Sequence, residues 1–360
     1  MTPPANRADA PSPSLAPNAS DGSESVAPTD AGARGPPPAA SHEPPQVLRR
    51  LQESIGQAVI GSESIVRLMT VALCSNGHVL IEGVPGLAKT YLVRSFATCL
   101  NLSFKRIQFT PDMLPSDIMG AIVINPKSQG FEFRPGPIFA NVVLADEINR
   151  APPKVQSALL EAMQERQVTM EGKAYPMPDP FMVIATQNPI EQEGTYPLPE
   201  AELDRFLFRI LLTYPTSEEE FRILRSRSDA GDIYPDRGLV SSDLLKTFAE
   251  RSQAIYVGDE VLQYLTGVVR ETRAEPRLLI GASPRSGVQF LRSVKASVLF
   301  DGRPYVIPDD VKSLAFAVLN HRVVIHPEVM AQQITTSQAR SEELLGEVIS
   351  ALVARVPPPR

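Results

Sequence analysis

The segment Gly83-Val84-Pro85-Gly86-Leu87-Ala88-Lys89-Thr90 constrains this chain more than any other stretch. The apolar run His78-Val79-Leu80-Ile81 precedes it, and a helical pattern opens at Thr90 and Tyr91. Strand, glycine-containing loop and helix in that order make a cradle for phosphate. Backbone N–H groups turn inward onto the anion, and the helix presents its positive N-terminus. Lys89 can then reach the β- and γ-phosphates, and the Thr90 hydroxyl can ligate Mg²⁺. The general pattern has a second glycine just before the lysine, where this chain has Ala88. Taken alone, the loop is also compatible with a simple tight turn before a helix.

A second signal decides between these readings. Asn141-Val142-Val143-Leu144-Ala145 is an apolar run that ends in Asp146-Glu147. A buried strand that delivers adjacent carboxylates to its C-terminal end suits phosphoryl transfer. Asp146 can hold Mg²⁺ through water, and Glu147 can orient and deprotonate an attacking water. A strand that merely stops at a solvated acidic turn is common, but not downstream of a phosphate loop. The pair of motifs predicts nucleotide binding.

Composition narrows the class. The chain has 360 residues and a formal net charge of −6, which argues against a constitutive duplex-DNA binder but allows a basic channel in an oligomer. No apolar run approaches the roughly 20 residues of a membrane span. The N-terminus shows no basic region followed by an apolar core, so no secretory signal is expected. Cys74 and Cys99 sit in apolar helical patterns and are expected as buried free thiols. The histidines His42, His78, His321 and His326 show no ligand spacing, so no transition-metal site is expected.

Along the chain, residues 1–45 are rich in Pro, Ala, Ser and Gly and are expected to form a disordered tail, with Pro44-Pro45 locally extended. Helical spacing begins at Val47 and Leu51, and a second helix opens at Ser62-Glu63. Strands are expected at Phe104–Phe109, Phe181–Thr186 and Phe206–Leu212, and hairpins around Gly130 and around Glu171-Gly172-Lys173. Pro152-Pro153 starts an amphipathic helix through Met163. Strands alternating with helices imply a mostly parallel α/β sheet with its ligand at the strands' C-terminal ends. From Asp243 onward the pattern is helical with no clear strand. The expected organisation is a tail over 1–45, an α/β core over 46–215, a helical lid over 243–335, and a C-terminal helix and tail over 336–360.

Three further elements complete a recognisable pattern. They are Ile184-Ala185-Thr186-Gln187-Asn188-Pro189, Leu198-Pro199-Glu200-Ala201-Glu202-Leu203-Asp204-Arg205-Phe206, and Gly281-Ala282-Ser283-Pro284-Arg285. With the loop, the acidic pair and stretches such as Gln108–Gly120, Phe133–Phe139 and Asp146–Glu165, they resemble the MoxR family of AAA+ ATPases. That branch carries inserted hairpins and is related to magnesium chelatase motor subunits. The resemblance spans about Gln46 to His326 and leaves out the tail. In this family the loop takes the form GxPGxAKT, so Ala88 is no departure.

The resemblance implies an AAA+ P-loop NTPase core with a mostly parallel sheet and inserted β-hairpins, followed by a small all-α lid domain. It implies ATP and Mg²⁺ bound by Gly83, Val84, Pro85, Gly86, Leu87, Ala88, Lys89, Thr90 and Tyr91, with Thr90 and Asp146 on the metal side. It assigns Lys89 and Thr90 to Walker A, Asp146 and Glu147 to Walker B, Asn188 to sensor 1, Arg205 to the arginine finger and Arg285 to sensor 2. Sensor 2 places the Arg285 guanidinium at the γ-phosphate, with the nucleotide between the two domains. Each of the last three has a plainer reading: Asn188 as a strand-end cap, Arg205 as a surface partner of Asp204 or Glu202, Arg285 as a solvated helix residue. Arg150 is either an intersubunit contact or a structural ion-pair partner.

The resemblance further implies a homo-oligomeric ring, taken as a hexamer, in the cytoplasm. It implies chaperone-like remodelling or metal loading of client complexes, and partners with a von Willebrand factor A domain. A nucleic-acid motor and a nucleotide-dependent scaffold with little turnover are the alternatives. Net acidity and the lack of an appended DNA-binding motif count against the first, and the intact catalytic set against the second. The client itself is not encoded in any spacing of residues.

Overall fold

The computed structural model describes residues 43–124, 130–188, 194–230, 234–333 and 338–359. The expected tail therefore lies outside the described residues except for its last three positions, and so does Pro189. Described in chain order, α1 (Pro44–Ala58) and α2 (Glu63–Cys74) lead into β1 (Val79–Gly83), α3 (Lys89–Cys99) and β2 (Phe104–Gln108). A short α4 (Pro115–Met119) opens the hairpin of β3 (Gly120–Ile124) and β4 (Phe131–Pro135). Then come β5 (Val142–Asp146), α5 (Pro153–Glu165), the hairpin β6 (Gln167–Met170) and β7 (Lys173–Pro176), and β8 (Met182–Gln187). The α/β part closes with α6 (Glu200–Leu203) and β9 (Phe208–Leu212). The helical part holds α7 (Ser217–Ala230), α8 (Ser242–Gln253), α9 (Asp259–Ala274), β10 (Leu278–Ile280), α10 (Pro284–Phe300), α11 (Pro308–Leu319), β11 (Val324–Ile325), α12 (Pro327–Gln333) and α13 (Gln338–Arg355).

The central sheet runs β2-β5-β8-β1-β9, and every neighbouring pair is parallel. Its inner strands read as unbroken apolar runs because helices cover both faces. Successive side chains alternate between those faces. Val79, Ile81, Val142, Leu144 and Ile184 join the core on one side, and Leu80, Val143, Ala145, Val183 and Ala185 join the core on the other. The edge strand β2 differs: Lys105 and Arg106 are exposed, as expected where a strand has one open side. The first of the two cores continues through Phe96 of α3 to Phe290 of α10, Val318 of α11 and Val348 of α13. The helical part thus shares apolar contacts with α1–α3, and residues 41–360 pack as one compact unit.

Two expectations need correction. Pro44 and Pro45 are not extended but form the first turn of α1. Proline suits that position, because its fixed φ is already helical and its missing N–H has no intrahelical partner there. The lid is helical but not all-α, since β10 and β11 form an antiparallel ribbon. These strands hold only three and two residues, too short for any alternation to emerge from the sequence. Cys74 and Cys99 are free and buried as expected, and burial pushes their thiols up to about 12 and about 11.

His78 fixes the entry to β1. Its Nδ1 accepts a hydrogen bond from the Val183 N–H at 3.0 Å, so Nε2 carries the proton toward Met163 O, also 3.0 Å away. The ring is neutral, and burial pulls its pKa down to about 3. His321 is buried as well and is shifted in the same direction. The unfolded chain therefore takes up protons below about pH 6.5 that the native chain refuses. Stability is expected to be full above that pH and to fall by up to about 1.4 kcal/mol per pH unit below it for His78 alone, until about pH 3. Thermal melts at pH 7.5 and 5.5 check this. The melting temperature should drop at the lower pH, and His78→Gln should lessen the drop. An unchanged melting temperature would mean that His78 is not held neutral.

Candidate functional site

β1 ends at Gly83, which lies so close to β9 that an added Cβ would meet Leu212 O at 2.9 Å. The loop then turns through Gly86 at φ 90° and Ala88 at φ 53°. Ala88 thus adopts the left-handed conformation that glycine takes freely, at a cost of about 1–2 kcal/mol for an L-residue. The conformation, rather than the residue type, is what the loop requires. Lys89 is the first residue of α3, and its Nζ donates to Gly83 O at 2.7 Å, folding the side chain back across the loop.

β5 carries Asp146 to the same end of the sheet. Asp146 is buried, and its two oxygens face different partners. Thr186 of β8 donates to Oδ1 at 2.5 Å while accepting from the Glu147 N–H at 2.9 Å. The Thr90 hydroxyl lies 3.4 Å from Oδ2, which joins the loop helix to the acidic pair. Oδ2 also takes the Arg106 guanidinium, from Nε at 2.9 Å and Nη2 at 2.7 Å. Glu147 sits at φ 58° and ψ 50°, a strained position of the kind found at functional sites. Its Oε2 accepts from Gln108 Nε2 at 2.8 Å and pairs with Arg150 Nε at 3.2 Å. Arg106 and Gln108 share a face because they stand two residues apart on β2, whose Gln108 is in register with Asp146. Arg150 is thus an ion-pair partner of Glu147 within the chain. Asn188 is buried directly after β8, whose Gln187 is in register with Glu82 beside the loop.

A cavity of about 550 Å³ opens beside the loop residues Gly86, Leu87, Ala88 and Tyr91. Ile60, Ile65 and Leu68 line it from the α1–α2 region, and Phe316 and Ala317 line it from α11. An apolar pocket next to a phosphate loop has the shape and chemistry to take a base and ribose. The helical part does border this pocket, through Ile223 of α7 and Phe316 of α11, and not through Arg285.

Arg285 is elsewhere. Together with Arg205, Arg166 and Arg292 it lines a separate cleft of about 270 Å³, which none of the loop residues borders. Arg205 does not pair with Asp204. Its Nη1 donates to Leu160 O at 3.3 Å and to the Gln164 side chain, and its Nε is buried with no partner among the described residues. Asp204 instead accepts from Ser283 at 3.1 Å, Ser286 at 3.0 Å and the buried Arg322 at 2.8 Å. That clamp holds the start of α10, and so Arg285, next to the segment that carries Arg205.

The donors near Thr90 and Asp146 are hard oxygens, which suit Mg²⁺. Among the described residues no group of three or more His, Cys, Asp or Glu could hold a metal by itself. A magnesium ion here would draw its remaining ligands from phosphate and water, as that ion usually does. Sequence reasoning missed Arg106, Gln108, Thr186, Arg166, Arg292 and Phe316. Thr186 ends the apolar run Phe181–Thr186, and Ser283-x-x-Ser286 has the spacing of a helix start. Arg106 belongs to no motif, and only the pairing of β2 with β5 brings it to Asp146.

The comparisons with known proteins agree with this architecture. Residues 78–208 match the ATPase family associated with various cellular activities (AAA), and residues 270–344 match the AAA lid domain. The chain is 43% identical to the YeaC protein of Bacillus subtilis over 85% of this chain and 94% of that one. It is 44% identical to Chaperone MoxR1 of Mycobacterium tuberculosis over 80% and 78% of the two chains. Protein MoxR of Methylorubrum extorquens is 31% identical over 86% and 94%. A crystal structure of a Cytophaga hutchinsonii protein superposes with a TM-score of 0.79 at 39% identity, covering 88% of this chain and 96% of that one.

Proposed function

Because the chain belongs to the MoxR family of AAA+ ATPases, we propose that it binds Mg-ATP at Gly83–Tyr91 and hydrolyses it in a site completed by a second copy of itself. Lys89 neutralises the β- and γ-phosphates. Thr90 and Asp146 serve Mg²⁺, which when bound offsets phosphate charge. Glu147 is the base for the attacking water, and Asn188 helps orient that water. The observation that carries the reading is the separation of charges. The acidic pair lies against the phosphate loop, while Arg205 and Arg285 share a cleft that the loop does not border. Phosphoryl transfer needs cations at the transferring group. In a head-to-tail assembly, one copy's arginine cleft faces the next copy's loop, and such interfaces form a ring when the rotation between copies closes.

The assembly is a ring in the cytoplasm, taken as a hexamer on the family resemblance. Its work is chaperone-like: hydrolysis drives remodelling or metal loading of a client complex, through an adaptor with a von Willebrand factor A domain. The name of the relative Chaperone MoxR1 supports that role. Among the described residues no helix is long and apolar enough to cross a membrane.

Lys89→Ala tests the placement of the nucleotide. It removes the loop's own cation and is expected to weaken ATP binding by tenfold or more, on the order of 1.5–3 kcal/mol for a charge-assisted contact. A fluorescent ATP analogue measures it. Affinity equal to that of the unaltered chain would place the nucleotide somewhere other than this loop.

A further inference from the structure

We propose that Arg106 is an internal counter-cation for Asp146, which Mg²⁺ must displace, so that the edge strand β2 sets how much Mg²⁺ the nucleotide site requires. The inference rests on the reading of Thr90 and Asp146 as the magnesium-side groups.

The geometry of the carboxylate leads to it. Oδ1 is occupied by Thr186, whose hydroxyl is itself fixed by the Glu147 N–H. Only Oδ2 faces the loop helix, through Thr90 at 3.4 Å, and that same oxygen receives both Arg106 nitrogens at 2.7 and 2.9 Å. The Asp146 side chain is 10% exposed and that of Arg106 is 47% exposed. The carboxylate is thus held in the protein while the guanidinium can swing out into water. A buried carboxylate without a cation is costly, and Arg106 supplies one before any metal arrives. Two cations drawn to one carboxylate repel each other, so Arg106 and a Mg²⁺ held through water would compete for the Oδ2 side of Asp146. The coupling is reciprocal: whatever Arg106 contributes to the empty site it subtracts from Mg²⁺ affinity.

This assignment differs in sign from a structural role. If Arg106 merely braced the site, its loss would loosen Asp146 and weaken Mg²⁺ binding. As a competitor, its loss strengthens Mg²⁺ binding. The backbone pairing of β2 with β5 does not depend on the side chain, so neutral variants keep the strand.

The test titrates Mg²⁺ against the full chain carrying N-methylanthraniloyl-ADP, which reports binding without turnover. Mn²⁺ binding followed by electron paramagnetic resonance is a second readout. Arg106→Gln and Arg106→Met are expected to reach half-saturation at roughly fivefold lower Mg²⁺ than the unaltered chain, the range set by a partly exposed ion pair. Arg106→Lys keeps the charge and is expected to stay close to the unaltered chain. Neutral variants that need as much Mg²⁺ as the unaltered chain, or more, would overturn the proposal. Should the unaltered chain itself bind the analogue without any Mg²⁺ dependence, the placement of Thr90 and Asp146 beside the metal fails instead, and with it this inference.

Discussion

Arg205→Ala is expected to bind ATP about as well as the unaltered chain and to hydrolyse it roughly 10³-fold or more slowly, the range known for arginines supplied to a phosphoryl group from a neighbour. The reason lies in where the side chain stands. Arg205 leans on Leu160 O and Gln164, in a cleft away from the phosphate loop of its own chain. Removing it leaves Lys89, Thr90 and the apolar pocket untouched, so binding survives. It takes away a cation that the transition state needs and the ground state needs less, which lowers kcat more than affinity. Arg285→Ala is expected to act in the same direction, because the Asp204 clamp holds Arg285 in the same cleft. ATP binding and steady-state turnover of each variant measure this. Full activity in Arg205→Ala would reduce the residue to a packing role against α5.

Glu147→Gln is expected to keep nucleotide and Mg²⁺ while losing turnover by about 10²–10⁴-fold, the usual contribution of a positioned general base. Glutamine preserves the shape and the hydrogen-bonding reach of the side chain. It loses the charge that pairs with Arg150 and the basicity that removes a proton from water. Asp146, Thr90 and Lys89 remain in place, so the nucleotide stays bound unhydrolysed. Single-turnover hydrolysis beside equilibrium binding separates the two effects. Turnover equal to that of the unaltered chain, with normal binding, would remove Glu147 from the role of base. The trapped state also serves to identify what the assembly acts on, by analysing the proteins that co-purify with it.

How far the sequence revealed this arrangement depends on whether each feature is local. The phosphate loop could be found because its parts are contiguous: a strand, a turn through Gly86 and Ala88, and a helix beginning at Lys89. Asp146 and Glu147 could be found because their apolar strand, an ordinary feature by itself, ends in paired acids downstream of a phosphate loop. The two hairpins and the parallel sheet followed from alternation and turn residues. Contacts made across the fold left no such trace. Arg106 meets Asp146 because β2 lies in register beside β5, and a lone arginine on an edge strand carries no mark of that. Phe316 reaches the pocket from α11, a helix remote in sequence from the loop. The position of Arg285 depends on how α10 is clamped through Ser283, Ser286 and Arg322 onto Asp204. A motif can propose what an arginine does, but the packing of the helical part decides which loop it can serve.

The central claim is that each site is built by two copies of the chain, and a mixing experiment tests it most directly. Arg205→Ala keeps an intact loop but no finger, and Lys89→Ala keeps the finger but an impaired loop. Each is expected to be nearly inactive alone. Mixed under conditions where mixed assemblies demonstrably form, some interfaces pair an intact Lys89 loop with an intact Arg205. Hydrolysis is then expected to return to a substantial fraction of that of the unaltered chain, and to rise with protein concentration as assembly proceeds. A mixture that assembles yet stays as inactive as its components would contradict the account and place the arginine's action within its own chain.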